Sequence, residues 1–93
     1  MSITTSLDIP ASRSSLLVRR RITTYFVGGV QEIPNLVAAL AQRGHSVHEL
    51  SVDIREGVRE SSMVCTILLP GDAIEPLLAY LRELPAVVSS DLA

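Results

Sequence analysis

The feature that most constrains this chain is the order in which its apolar residues change period. Ile22, Thr24 and Phe26 alternate with Thr23, Tyr25 and Val27, the two-residue repeat of a strand. Gly28-Gly29 interrupts it, and Ile33, Leu36, Val37, Leu40 and Ala41 then recur at helical spacing. Pro34 suits the first turn of that helix, and Gly44, just past Arg43, suits its end. The period returns to two over Val47 to Ile54, with Leu50, Val52 and Ile54 on one face and Ser51 and Asp53 on the other. Val47 is out of step, which predicts a bulge.

A polar turn at Arg55-Glu56-Gly57 precedes a third strand, in which Met63, Cys65, Ile67 and Leu69 alternate with Val64, Thr66 and Leu68. Apolar on both faces, it belongs in the middle of a sheet. Pro70-Gly71-Asp72 ends it, and Ile74, Leu77, Leu78 and Leu81 give a second helical stripe. Asp72 and Glu75 have the spacing of a capping box, while Pro76 moves the first regular turn toward Glu75. Pro85 stops this helix, and Ala86 to Ser90 reads as a short fourth strand.

The order βαββαβ predicts an α+β, ferredoxin-like sandwich: a four-stranded antiparallel sheet with two helices on one face. The second strand falls at a sheet edge, and the face without helices must meet water or a partner. A chain of 93 residues has room for one such domain, over residues 16–93. Residues 1–15, rich in Ser and Thr without a sustained period, read as a flexible N-terminal tail.

Composition removes several functions. Eight basic against ten acidic side chains give a formal charge of -2, without the cation excess that binds a phosphate backbone, and aromatics are confined to Tyr25, Phe26 and Tyr80. Nucleic acid is not expected as a partner. The longest apolar run, Leu36 to Ala41, is far short of the roughly 20 residues that cross a bilayer, and no signal-peptide stretch opens the sequence, so a cytoplasmic protein without membrane contact is expected. One Cys and two His supply no metal cluster, and no cofactor motif occurs. His45 and His48 read as exposed or interface residues. Cys65 has no neighbouring cation and reads as a buried thiol; Ser61 and Ser62 lack a partnering His or Asp, leaving no catalytic constellation. Arg19-Arg20-Arg21 and the alternating charges of Asp53, Arg55, Glu56, Arg59 and Glu60 read as solvated surface.

The run from Leu36 to Gly44 (Leu-Val-Ala-Ala-Leu-Ala-Gln-Arg-Gly), continuing through His45-Ser46-Val47-His48-Glu49-Leu50-Ser51-Val52, resembles ACT domains, especially those of acetohydroxyacid (acetolactate) synthase regulatory small subunits. Thr66 to Asp72, Leu77 to Leu84 and Val87-Val88 extend the likeness more loosely from Arg21 to Ser90. The resemblance implies a non-enzymatic regulatory module that forms a homodimer and binds a small effector, often an amino acid, or that regulates a catalytic enzyme subunit. It implies an effector site at Gly28, Gly29, Val30, Gln31, Ser46 and Val47, where open glycine backbone and a helix N-terminus receive a carboxylate. It implies a dimer interface on the first helix and second strand, at Leu36, Leu40, His48, Leu50 and Val52. The loop lacks the Pro-Gly pair common in such domains, and Ser46 stands where many carry Asn. Gly28-Gly29 also reads simply as a turn needing unusual backbone angles. Two alternatives follow: a ligand-free structural dimerisation module, or a small dimeric enzyme or binding protein with a pocket over the open sheet face, drawing on Thr24, His48 and Arg59.

Overall fold

The computed structural model describes residues 16–55 and 59–93. Along these residues the chain forms strand β1 (Leu17–Phe26), helix α1 (Ile33–Gln42), strands β2 (Ser46–Asp53) and β3 (Ser61–Pro70), helix α2 (Ile74–Arg82) and strand β4 (Val87–Leu92). The strands make one antiparallel sheet in the order β2-β3-β1-β4. This is the expected α+β, ferredoxin-like architecture, with β3 central and β2 at an edge.

The core lies between the helices and one sheet face. Ile22 and Phe26 of β1, and Met63, Cys65, Ile67 and Leu69 of β3, are buried against Leu36, Ala39 and Leu40 of α1 and Leu77, Leu78 and Leu81 of α2. Strict alternation along β1 and β3 aims these side chains the same way. Thr24, between Ile22 and Phe26, shares that buried face, and its hydroxyl forms a 2.9 Å hydrogen bond with the Ser90 hydroxyl. Two buried polar groups are thereby satisfied within the core.

Several local features differ from the sequence expectation. Each helix is preceded by a 3-10 turn, Gly29–Glu32 before α1 and Gly71–Ala73 before α2. Because the second turn intervenes, Ala73 rather than Asp72 adjoins α2, and no side chain caps either start, so the Asp72/Glu75 capping box does not form. Pro76 is the third residue of α2, where an amide has no intrahelical acceptor to lose, so the helix begins at Ile74. Strand β4 runs on to Leu92, held by Arg82 of α2, whose Nε donates to the Ser90 carbonyl at 2.8 Å and whose Nη2 meets Asp91 Oδ1 at 2.7 Å. The bulge expected from Val47 is present: pairing with β3 slips between Val47 and Glu49, leaving His48 as the extra residue. Helix α1 ends as its sequence indicates, with Gly44 at φ 77° and its amide bonded to the Ala41 carbonyl at 3.0 Å.

Candidate functional site

Between β1 and α1 the backbone turns through Gly28 and Gly29, at φ 100° and 68°, a left-handed region that side chains other than glycine rarely occupy. Glu32, the residue before α1, folds back over this turn: a Cβ placed on Gly28 would stand 2.7 Å from Glu32 Cγ. Asn35 Nδ2 donates to Glu32 Oε1 at 3.3 Å. A carboxylate of the chain itself therefore lies at the positive end of α1, where an anionic ligand would compete with it. Val30 and Gln31 are exposed beside it, and the Val27 amide ties the loop to the Ala86 carbonyl at 2.9 Å.

The other proposed effector residues are elsewhere. Ser46 pairs with Leu68, which pairs with Arg19, so Ser46 and Val47 lie at the opposite end of the sheet from Phe26 and the glycine turn. At roughly 3.3 Å per strand residue the separation is about 20 Å. One protomer therefore does not bring the six residues into one pocket.

The interface candidates divide as well. Leu36 and Leu40 are each 1% exposed and belong to the protomer's own core, which removes them as contacts for a second chain. His48, Leu50 and Val52 stay open, and all eight residues of β2 are exposed. This is unusual because Leu50 pairs with Cys65 and Val52 with Met63, placing both leucine and valine on the helix-covered side of the sheet. Among the described residues no helix reaches over them: Leu50 is 43% exposed and Val52 37%.

The reason lies in how α1 is turned. Its Asn35, Ala38 and Gln42 flank faces α2 across a groove of about 570 Å³ that also includes Tyr80 and Leu84. The Tyr80 hydroxyl donates to Gln42 Oε1 at 2.8 Å, and the Arg43 guanidinium sits 5.2 Å from the Tyr80 ring centre. Val37 and Ala41 lie on the other flank, toward β2, and both are exposed. Val37, Val47, Leu50 and Val52 thus leave an exposed apolar margin beside the edge of β2, which no strand pairs among the described residues.

The pocket imagined from Thr24, His48 and Arg59 does not assemble. Thr24 is buried on the helix side, not on the open face, while His48 occupies the bulge and Arg59 lies in the connection between β2 and β3. Glu56 and Gly57 of that turn lie outside the described residues. Ser61 closes the hairpin base instead of serving chemistry: its buried hydroxyl accepts from the Arg55 amide at 2.7 Å and donates to the Arg55 carbonyl at 3.2 Å. Cys65 is buried, and burial pushes its thiol up to about 11, away from a reactive thiolate. Among the described residues no three His, Cys, Asp or Glu side chains cluster to hold a metal ion, and no helix is long and apolar enough to cross a membrane.

The open face holds an arrangement that the sequence did not disclose. Thr66 pairs with Arg21 on one side and Glu49 on the other, so the three form one row across β1, β3 and β2. Arg19 and Arg21 belong to this face and Arg20 to the other, an alternation that splits the arginine run. Reading the row requires the strand register, which no local sequence signal fixes.

An antiparallel β2-β3-β1-β4 sheet under two helices is the fold of ACT domains. Two solved structures show it: the crystal structure of the ACT domain from GTP pyrophosphokinase of Chlorobium tepidum has a TM-score of 0.70 at 11% identity, covering 85% of this chain and 99% of that one. The solution NMR structure of the same domain has a TM-score of 0.64 at 10% identity, covering 83% of this chain and 86% of that one. At such identity the likeness is one of fold. No family model and no curated protein matches the sequence.

Proposed function

We propose that this chain is a non-catalytic, ACT-like regulatory module that forms a homodimer through β2 and binds a small effector, an amino acid in the leading case, between the two copies. The observation that carries this reading is the apolar margin of Val37, Val47, Leu50 and Val52 beside a strand that, among the described residues, has no neighbour on its outer side. A second β2 added antiparallel would pair that edge and cover the margin. The same operation bears on the effector site. Asp53 pairs with Ser62, and Ser62 with Tyr25, so the Asp53 end of β2 is level with the end of β1 that leads into the glycine turn. Antiparallel pairing sets the partner's β2 start beside Asp53, and so returns a copy of the Ser46-Val47 segment to the glycine-turn end. Six residues that one protomer keeps apart would then form two sites per dimer.

Regulation of a larger metabolic enzyme, such as an acetolactate synthase, is the role we assign to such a dimer on the strength of the sequence resemblance. Glu32 favours the ligand-free structural dimerisation module as a second reading, because its carboxylate already lies over the turn. Amide chemical-shift mapping of the full chain against a panel of amino acids, branched-chain ones included, separates the two. Saturable shifts at Gly28, Gly29 and Ser46 together are expected. Shifts with no member of the panel would overturn effector binding and leave the structural dimer.

A further inference from the structure

We propose that the open face of the sheet carries a second small-molecule site, between Arg21 and Glu49, that takes a small zwitterion bearing one carboxylate and one ammonium group. It goes beyond the effector reading above, since it uses the opposite face of the sheet from α1 and none of the glycine-turn residues.

The row Arg21–Thr66–Glu49 begins with a cation and ends with an anion, and the Glu49 carboxylate leans inward over Thr66 toward the Arg21 side. Two strand spacings put the outer Cα atoms roughly 10 Å apart. Among the described residues the ion pairs are Arg55–Asp53 and Arg82–Asp91, so Arg21 has no carboxylate within 4.0 Å although Glu49 lines the same depression. Thr66, only 7% exposed, donates its hydroxyl to Glu49 Oε1 at 3.1 Å and fixes that carboxylate over the middle of the row. The depression measures about 470 Å³, with Val64 and Ser51 in the adjoining row. The depression is open to solvent on the sheet surface, with room for a small metabolite lying against it.

The chemistry of the two ends sets the ligand class. A guanidinium presents a planar fork to a carboxylate, and a carboxylate already held by one hydroxyl retains lone pairs for an ammonium. A ligand carrying both groups satisfies both ends at once. A ligand carrying one leaves the opposite end of the row unanswered. Val64 offers apolar contact for a short aliphatic side chain.

The test titrates the isotope-labelled full chain with L-leucine, with L-leucinamide, which lacks the carboxylate, and with 4-methylpentanoate, which lacks the ammonium. L-Leucine is expected to shift the Glu49, Ser51 and Thr66 amides saturably, and each one-charge analogue to bind about tenfold or more weakly, the loss of one charge-assisted contact. Arg21→Gln and Glu49→Gln, both on exposed side chains, should each weaken L-leucine at these amides by a similar factor and leave any response at Gly28 and Gly29 intact. Equal responses to all three probes, or shifts confined to Gly28, Gly29 and Ser46, would overturn the open-face site; the second pattern would still support the effector loop. Silence everywhere into the millimolar range would overturn both.

Discussion

Strands β2 and β3 are hairpin neighbours with similar sequence patterns, yet they have opposite environments. β3 alternates buried and half-buried residues, with Met63, Ile67 and Leu69 fully enclosed, whereas β2 exposes all eight of its residues. Both turn apolar side chains to the helix side. The difference is coverage: α1 commits Leu36, Ala39 and Leu40 to the space over β3 and β1, and leaves Val37 as its contribution toward β2. Apolar alternation therefore marks which residues share a face, and helix placement decides which of them are already inside. β2 has the pattern of a buried strand in a protomer that does not bury it.

If that contrast is right, truncation on β3 should damage the protomer far more than truncation on β2. Ile67→Ala removes a fully buried side chain and should cost about 2 to 5 kcal/mol in chemical denaturation. Leu50→Ala, measured at a concentration where the chain sediments as a single protomer, should cost roughly 1 kcal/mol or less. Comparable losses at the two sites would break the comparison.

The buried thiol of β3 gives a pH-dependent version. Its ionisation is raised from 9.0 to about 11 in the folded chain. Between those values the unfolded chain releases a proton that the folded chain retains, so stability is full below pH 9 and falls as pH rises toward 11. The loss is on the order of 2 kcal/mol, and should be absent from Cys65→Ala in parallel denaturation series. An effect of similar size is expected inside the same layer. Thr24→Val strands the Ser90 hydroxyl and should cost about 1 to 3 kcal/mol, whereas the Thr24→Val/Ser90→Ala pair should recover part of it. The smallest belongs to the exposed end of β2: breaking the 3.3 Å Asp53–Arg55 pair with Asp53→Asn should change stability by less than roughly 0.5 kcal/mol.

The sequence exposed the architecture because each break coincided with a change of period: Gly28-Gly29 lies between β1 and α1, Gly44 between α1 and β2, and Pro70-Gly71 where β3 gives way to the turn before α2. It also exposed the bulge, since Val47 could not share the Leu50 face without an extra residue. What stayed hidden depends on contacts between distant segments. The stripe of α1 names its apolar residues but not which flank meets the sheet, so Leu36 and Leu40 read as interface while Val37 and Ala41 are the ones left outside. Thr24 was legible and misplaced: its position between Ile22 and Phe26 already assigned it to the buried face. The Arg21–Thr66–Glu49 row was not legible, because neighbours 45 and 17 positions apart in sequence meet only through register.

The most direct test of the β2 edge is sedimentation velocity of the full chain at micromolar concentration, beside Leu50→Glu. The unaltered chain is expected to sediment at twice the protomer mass, and Leu50→Glu as a single protomer with unchanged circular dichroism. A monomeric unaltered chain, or a Leu50→Glu variant that still dimerises, would rule out β2 as the dimer edge.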